Sequence, residues 1–170
     1  MRTLSADWYE TKVRYRKTME DGQEKDVTEQ YVVDAISFSE AEANIMEEIA
    51  VYISGEYSIK SISPASYHEI FFSDMDNDDK WYKAKLQFIT IDEKSSKEKR
   101  SNVYYLVQAA SLQGAVKHIE EVMGSSMMDY TIASVTETAI MDVFEHVKTA
   151  AKKLEKNDKP EYEPAEEEKK

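Results

Sequence analysis

"WYETKVRYRK" (residues 8–17) and "WYKAKLQFIT" (residues 81–90) carry one strand pattern twice, 73 residues apart. Each opens on Trp-Tyr and has a Lys four residues after the Trp, Lys12 in one and Lys85 in the other. Alternation puts Tyr9, Thr11, Val13 and Tyr15 on one face of the first strand. Tyr82, Ala84, Leu86 and Phe88 take the matching face of the second. Charged connections follow both, "TMEDGQEKD" (18–26) and "DEKSSKEKRS" (92–101), as hairpin loops do. The second connection is one residue longer, and with that shift "YVVDAIS" (31–37) aligns with "YLVQAAS" (105–111).

The match continues beyond the hairpins. Phe38, Ala41, Ile45 and Ile49 form an apolar stripe at helical spacing, as do Leu112, Ala115, Ile119 and Val122/Met123. Ser37 or Ser39 supplies an N-cap for the first helix, and Ser111 stands in the Ser37 position of the second. Each helix is followed by a strand, "EYSIKSIS" (56–63) against "DYTIASVT" (129–136). A short aromatic segment closes each unit, "YHEIFFS" against "IMDVFEH". The pattern predicts an α+β fold of two tandem ββαβ(β) repeats, 8–73 and 81–145, related by a pseudo-twofold axis. One unit alone leaves sheet edges open and buries little surface, so 1–145 is expected to form a single domain. Val147, Ala150, Ala151 and Leu154 predict a C-terminal helix over 146–157, and the Pro-containing, charge-dense 158–170 a disordered tail.

Composition narrows the function classes. The chain has no Cys, which removes disulfides, thiolate catalysis and zinc-thiolate sites together. No apolar run is long enough for a membrane span, and "MRTLSADWYE" has no signal-peptide core, so a cytoplasmic location is expected. The net charge is −12, and the last 19 residues are nearly neutral, so the acidity belongs to the part expected to fold. A field of that sign repels phosphate backbones and disfavours nucleic acid as a partner.

No motif carries catalysis. "DMDNDD" (74–79) begins like a calcium loop, but Asp79 stands where the loop needs Gly and Lys85 where it needs Glu. It reads as a solvated linker. His68, His118 and His146 share no metal-binding spacing, and His118 falls on the polar side of its helix. Glu47 and Glu121 recur at matching places and read as solvated helix faces. No nucleophile elbow or phosphate-cradling loop occurs. A non-catalytic protein without metal or cofactor is expected.

The binding candidates are on the strand faces turned away from the helices. They are Trp8, Lys12, Arg14 and Arg16 in the first half, and Trp81, Lys83, Lys85 and Tyr104 in the second. Aromatics among cations suit protein interfaces and base stacking. The competing reading packs one half's sheet face on the other's, with lysine stems over the tryptophans.

The succession "WYETKVRY", "VTEQYVVDAISFSEAEA", "YISGEYSIKSI", "EIFFSD", "KWYKAKLQFITIDEKS", "YLVQAA" and "ETAIMDVF" resembles a family of small duplicated proteins without assigned activity, common in Bacteroidetes and their phages. The resemblance covers about residues 8–144 and brings no catalytic residues to this chain. A phage origin would imply a host protein or host nucleotide as target. The expected function is therefore a protein-interaction module, its partner another protein of basic character or a second copy. The alternative is a nucleotide-like small ligand held in the cleft between the repeats against Trp8 and Trp81, with Lys12 and Lys85 on its phosphate.

Overall fold

The computed structural model describes residues 7–146. The order of elements is β1 (Asp7–Thr18), β2 (Glu24–Ala35), α1 (Phe38–Ile49), β3 (Tyr57–Ala65) and β4 (Tyr67–Phe71). The same succession follows as β5 (Lys80–Ile91), β6 (Glu98–Ala109), α2 (Leu112–Met123), β7 (Tyr130–Glu137) and β8 (Ile140–Phe144). The C-terminal helix expected over 146–157 and the tail over 158–170 lie outside the described residues, His146 excepted.

The hairpin strands reach further than the charged connections suggest. Once β1 pairs with β2, Glu24 and Asp26 continue the ladder opposite Thr18 and Arg16, leaving a turn of 19–23 with Gly22 at φ +82. Its partner turn, 92–97, is closed by a hydrogen bond from Asp92 N to Lys97 O of 2.9 Å. Both helices start as expected. Ser37 Oγ accepts from Glu40 N at 3.2 Å and Ser111 Oγ from Gly114 N at 3.1 Å, satisfying donors that the first turn leaves free.

Two four-stranded sheets form, in the orders β3-β1-β2-β8 and β4-β6-β5-β7. The two units are alike down to their irregularities. In β3, Lys60 is the extra residue of a bulge opposite Lys12/Val13; in β7, Ala133 takes the same place opposite Lys85/Leu86. The fourth strands are exchanged. β8 lies parallel to β2 of the first unit, and β4 lies parallel to β6 of the second. Each sheet thus contains three strands of one unit and one of the other.

Side-chain hydrogen bonds fix the ends of both exchanged strands. Gln108 Oε1 accepts from Ser73 N at 2.9 Å, just past β4, and Asp34 Oδ1 accepts from His146 N at 2.5 Å, just past β8. Asp34 and Gln108 occupy equivalent places in β2 and β6.

Three apolar clusters hold the layers. Ala41, Ile45 and Ile49 of α1 pack on Tyr9, Val13, Tyr31 and Val33. Ala115, Ile119 and Met123 of α2 pack on Tyr82, Leu86, Tyr105 and Val107. The third cluster joins the two sheets through Val32, Tyr67, Ile70, Trp81, Leu106, Ile140 and Val143. The helices therefore cover the outer faces, and the inner faces meet. Each fully buried Val, Leu or Ile contributes about 1.5–3 kcal/mol to that arrangement.

Two helix positions differ from the pattern. Phe38 and Leu112, first in their stripes, remain 53% and 48% exposed, because each sits in the opening turn, short of the covered part of the sheet. Conversely, Asn44 is buried and donates from Nδ2 to Asp34 O at 3.0 Å. At the equivalent place His118 is half-buried, with Nδ1 3.1 Å from Gln108 O, rather than on an open polar face.

Candidate binding surface

The strand faces turned from the helices divide at mid-length. Near the starts of β1 and β5 they close on one another. Trp81 is 2% exposed inside the inter-sheet cluster, while Trp8 is half-buried at its border beside Ala65 and Tyr104. Tyr67 of β4 crosses between the sheets and donates to Glu10 Oε1 at 2.5 Å. Burial, then the Glu10 carboxylate, raises the Tyr67 phenol above its ordinary range. Lys83, the counterpart of Glu10, sets its ammonium 5.1 Å from the Tyr104 ring centroid and 5.9 Å from that of Tyr67. Lys85 is half-buried opposite Tyr104, and Lys12 is exposed opposite Ser61. For Trp81 the internal-packing alternative is the one realised, and it offers no open surface. The cleft that a ligand would need between Trp8 and Trp81 is filled by this cluster.

Toward the far end of β1 the surface opens. A concave region of about 950 Å³ is lined by the end of β1, the start of β2, the connection after α1 and the start of β3. Arg14 and Arg16 reach it from β1, Lys17 beside them, and Lys60 from the β3 bulge. Tyr52, 68% exposed, and the half-buried Tyr57 add aromatic surface. Gly55, at φ +109, turns the chain between them in a conformation that other residues rarely adopt.

Glu24, Asp26 and Glu56 balance part of the positive charge. Asp26 lies 3.1 Å from Arg14 Nη2 and 3.5 Å from Arg16 Nε. The hydrogen bonds from Arg14 and then Arg16 hold its carboxyl below the usual range. Behind the region, Glu29 accepts from Tyr15 at 2.9 Å and from Tyr31 at 2.7 Å, with Lys17 Nζ 3.8 Å away.

The second unit lacks this chemistry. Gln87, Ile89 and Thr90 stand where Arg14, Arg16 and Lys17 do, Arg100 where Asp26 does, and Ala133 where Lys60 does. Phe88 and Val103 replace the Tyr15–Glu29 pair. Arg14 and Arg16 are the two sequence candidates that the fold brings together on open surface. Lys17, Lys60, Tyr52 and Tyr57 were missed, although Lys60 against Ala133 already broke the repeat where the flanking residues matched.

The acidic run lines a smaller concavity of about 360 Å³ with Trp81, Gln108, Met141 and Asp142. Asp78 is held by Ser73 Oγ, and burial raises the Asp142 carboxyl, partly offset by the Val143 N–H. Among the described residues no group of three or more His, Asp or Glu is placed to hold a metal ion. The histidines are dispersed: His68 edges onto Tyr105, His118 caps a strand carbonyl, and His146 Nε2 is 2.6 Å from Glu48. Among the described residues no helix is long and apolar enough to cross a membrane.

Fold and surface define an α+β protein of two similar sheet-and-helix units with reciprocally exchanged strands and a polar, open concavity at the far end of β1. The chain belongs to the family of the domain of unknown function DUF4494, whose model matches residues 7–146. No curated protein and no solved structure matches it.

Proposed function

We propose that the chain is a non-catalytic protein-interaction module, built from two ββαββ repeats about a pseudo-twofold axis as one cytoplasmic domain. Its contact surface is the concavity around Arg14, Arg16, Lys60, Tyr52 and Tyr57. The observation that carries the reading is that the cations Arg14, Arg16, Lys17 and Lys60, with Tyr52, exist in one unit only, whereas Tyr57 is matched by Tyr130. Positions with structural duties are kept or exchanged for equivalents, as Ser37/Ser111 and Asp34/Gln108 are, whereas here four cations become Gln, Ile, Thr and Ala. Arg and Tyr are favoured interface anchors. Small-molecule sites enclose their ligand and are mostly apolar, and this region is open and polar, which favours a protein segment. The mixed charge of the lining suits a partner of mixed charge, and the −12 chain steers a basic one toward it. In a phage setting the partner would be a host protein.

The test is capture from the host cell with tagged wild type, an Arg16→Ala/Lys60→Ala/Tyr52→Ala variant, and a Gln87→Ala/Thr90→Ala control in the other unit. The expected partner is retained by wild type and control, lost by the triple variant, and weakened by salt or by neutralising Glu40, Glu42, Glu47 and Glu48. Equal capture by all proteins would remove this surface from consideration. Retention of a phosphate-bearing small molecule instead, lost in the same triple variant, would favour the ligand reading at this site.

A further inference from the structure

The four sheet edges are not equally protected. β3 carries Lys60 and Pro64, and β4 and β8 are five residues long, each with a bulge and an acidic residue. Short length, Lys, Pro and bulges are how edges avoid joining other strands. β7 shares the bulge, at Ala133, but has eight residues, no Pro and no Lys or Arg, and its one charge is Glu137 at the end. Among the described residues it pairs with β5 alone.

Its sequence is also self-complementary. Around a centre between Ala133 and Ser134, an antiparallel copy would oppose Ile132 to Val135 and Thr131 to Thr136. The bulge at Ala133 makes the faces agree, since Ile132 and Val135 both turn half-buried toward the α2 core while Thr131 and Thr136 are both exposed. Matched β-branched pairs of this kind stabilise a ladder. Next to the strand, Met127 is fully exposed and Met128 half exposed, giving a copy apolar surface to cover.

We infer that β7 is a self-association edge, on which a second copy of this chain adds its own β7 antiparallel to extend the sheet across a twofold axis. This surface is separate from the concavity in the first unit and stands whether or not that reading holds. Two chains of −12 repel, so the dimer strengthens with salt as the Debye length shrinks from about 10 Å at 0.1 M.

The experiment is sedimentation with native mass spectrometry on wild type and Ala133→Lys. Lys60 occupies that place in β3, so the fold accommodates the substitution, which circular dichroism checks. The expected result is a mass of twice 19.6 kDa for wild type and a dimer weakened about tenfold or more in Ala133→Lys. A wild-type monomer at hundreds of micromolar in high salt overturns the proposal. So does a dimer indifferent to Ala133→Lys, or a monomer carrying a foreign peptide that Ala133→Lys releases, which would give the edge to a different strand.

Discussion

Trp8 and Trp81 begin equivalent strands and have the same tyrosine neighbour, yet one borders the inter-sheet cluster and the other is enclosed by it. Strand alternation assigns both to the same face and cannot say how deeply each is covered. Trp81→Ala should cost about 3–5 kcal/mol of stability, and Trp8→Ala clearly less, measured by urea unfolding. Equal losses would mean that the two sheets do not meet as described. Tyr15 differs from its counterpart Phe88 in having a hydroxyl to titrate. Burial, then the hydrogen bond to Glu29, pushes its pKa from 10.0 to about 12. Between those values the folded phenol keeps its proton while the unfolded one gives it up, so stability falls as pH rises through the window. Glu29→Ala should lower the Tyr15 pKa partway, read from phenolate absorbance. An unchanged titration would exclude Glu29 as a cause.

At the scale of elements, period was the legible signal. Alternation located the hairpin strands, helical spacing located α1 and α2, and the paired serines located both caps. The partners of the short strands β4 and β8 were not legible. Five residues of mixed apolar character state that a strand exists but not which ladder it joins, because the partner lies tens of residues away. Phe71 and Phe144 hint at the answer only once the fold is known, since each packs on the helix-side core of the other unit. The exchange has a direct test. Cutting the chain between β4 and β5, within 74–79, gives halves that each lack one strand of their sheet. Expressed apart, each should be unfolded by circular dichroism; expressed together, they should co-purify as a folded pair. A half that folds alone would contradict the exchange.

At the scale of the whole molecule, repetition was a reliable guide to architecture and a poor one to function. Matching positions describe the scaffold: of the shared tryptophans and lysines, Trp81 is enclosed between the sheets, Trp8 and Lys85 are half-buried, and Lys12 is exposed. The proposed surface rests instead on unmatched residues, Arg16 against Ile89 and Lys60 against Ala133, brought together in a concavity that no linear pattern displays. The exchanged strands also set a timetable for the chain's birth. Sheet A, the one built on β1, β2 and β3, receives its last strand from residues 140–144. At a synthesis rate of about 5–20 residues per second, β2 waits roughly 5–20 s after its own translation before β8 leaves the ribosome. Throughout that interval the nascent first unit has an uncovered inner face and a vacant place beside β2, which makes it a natural client for a chaperone until β8 has been made.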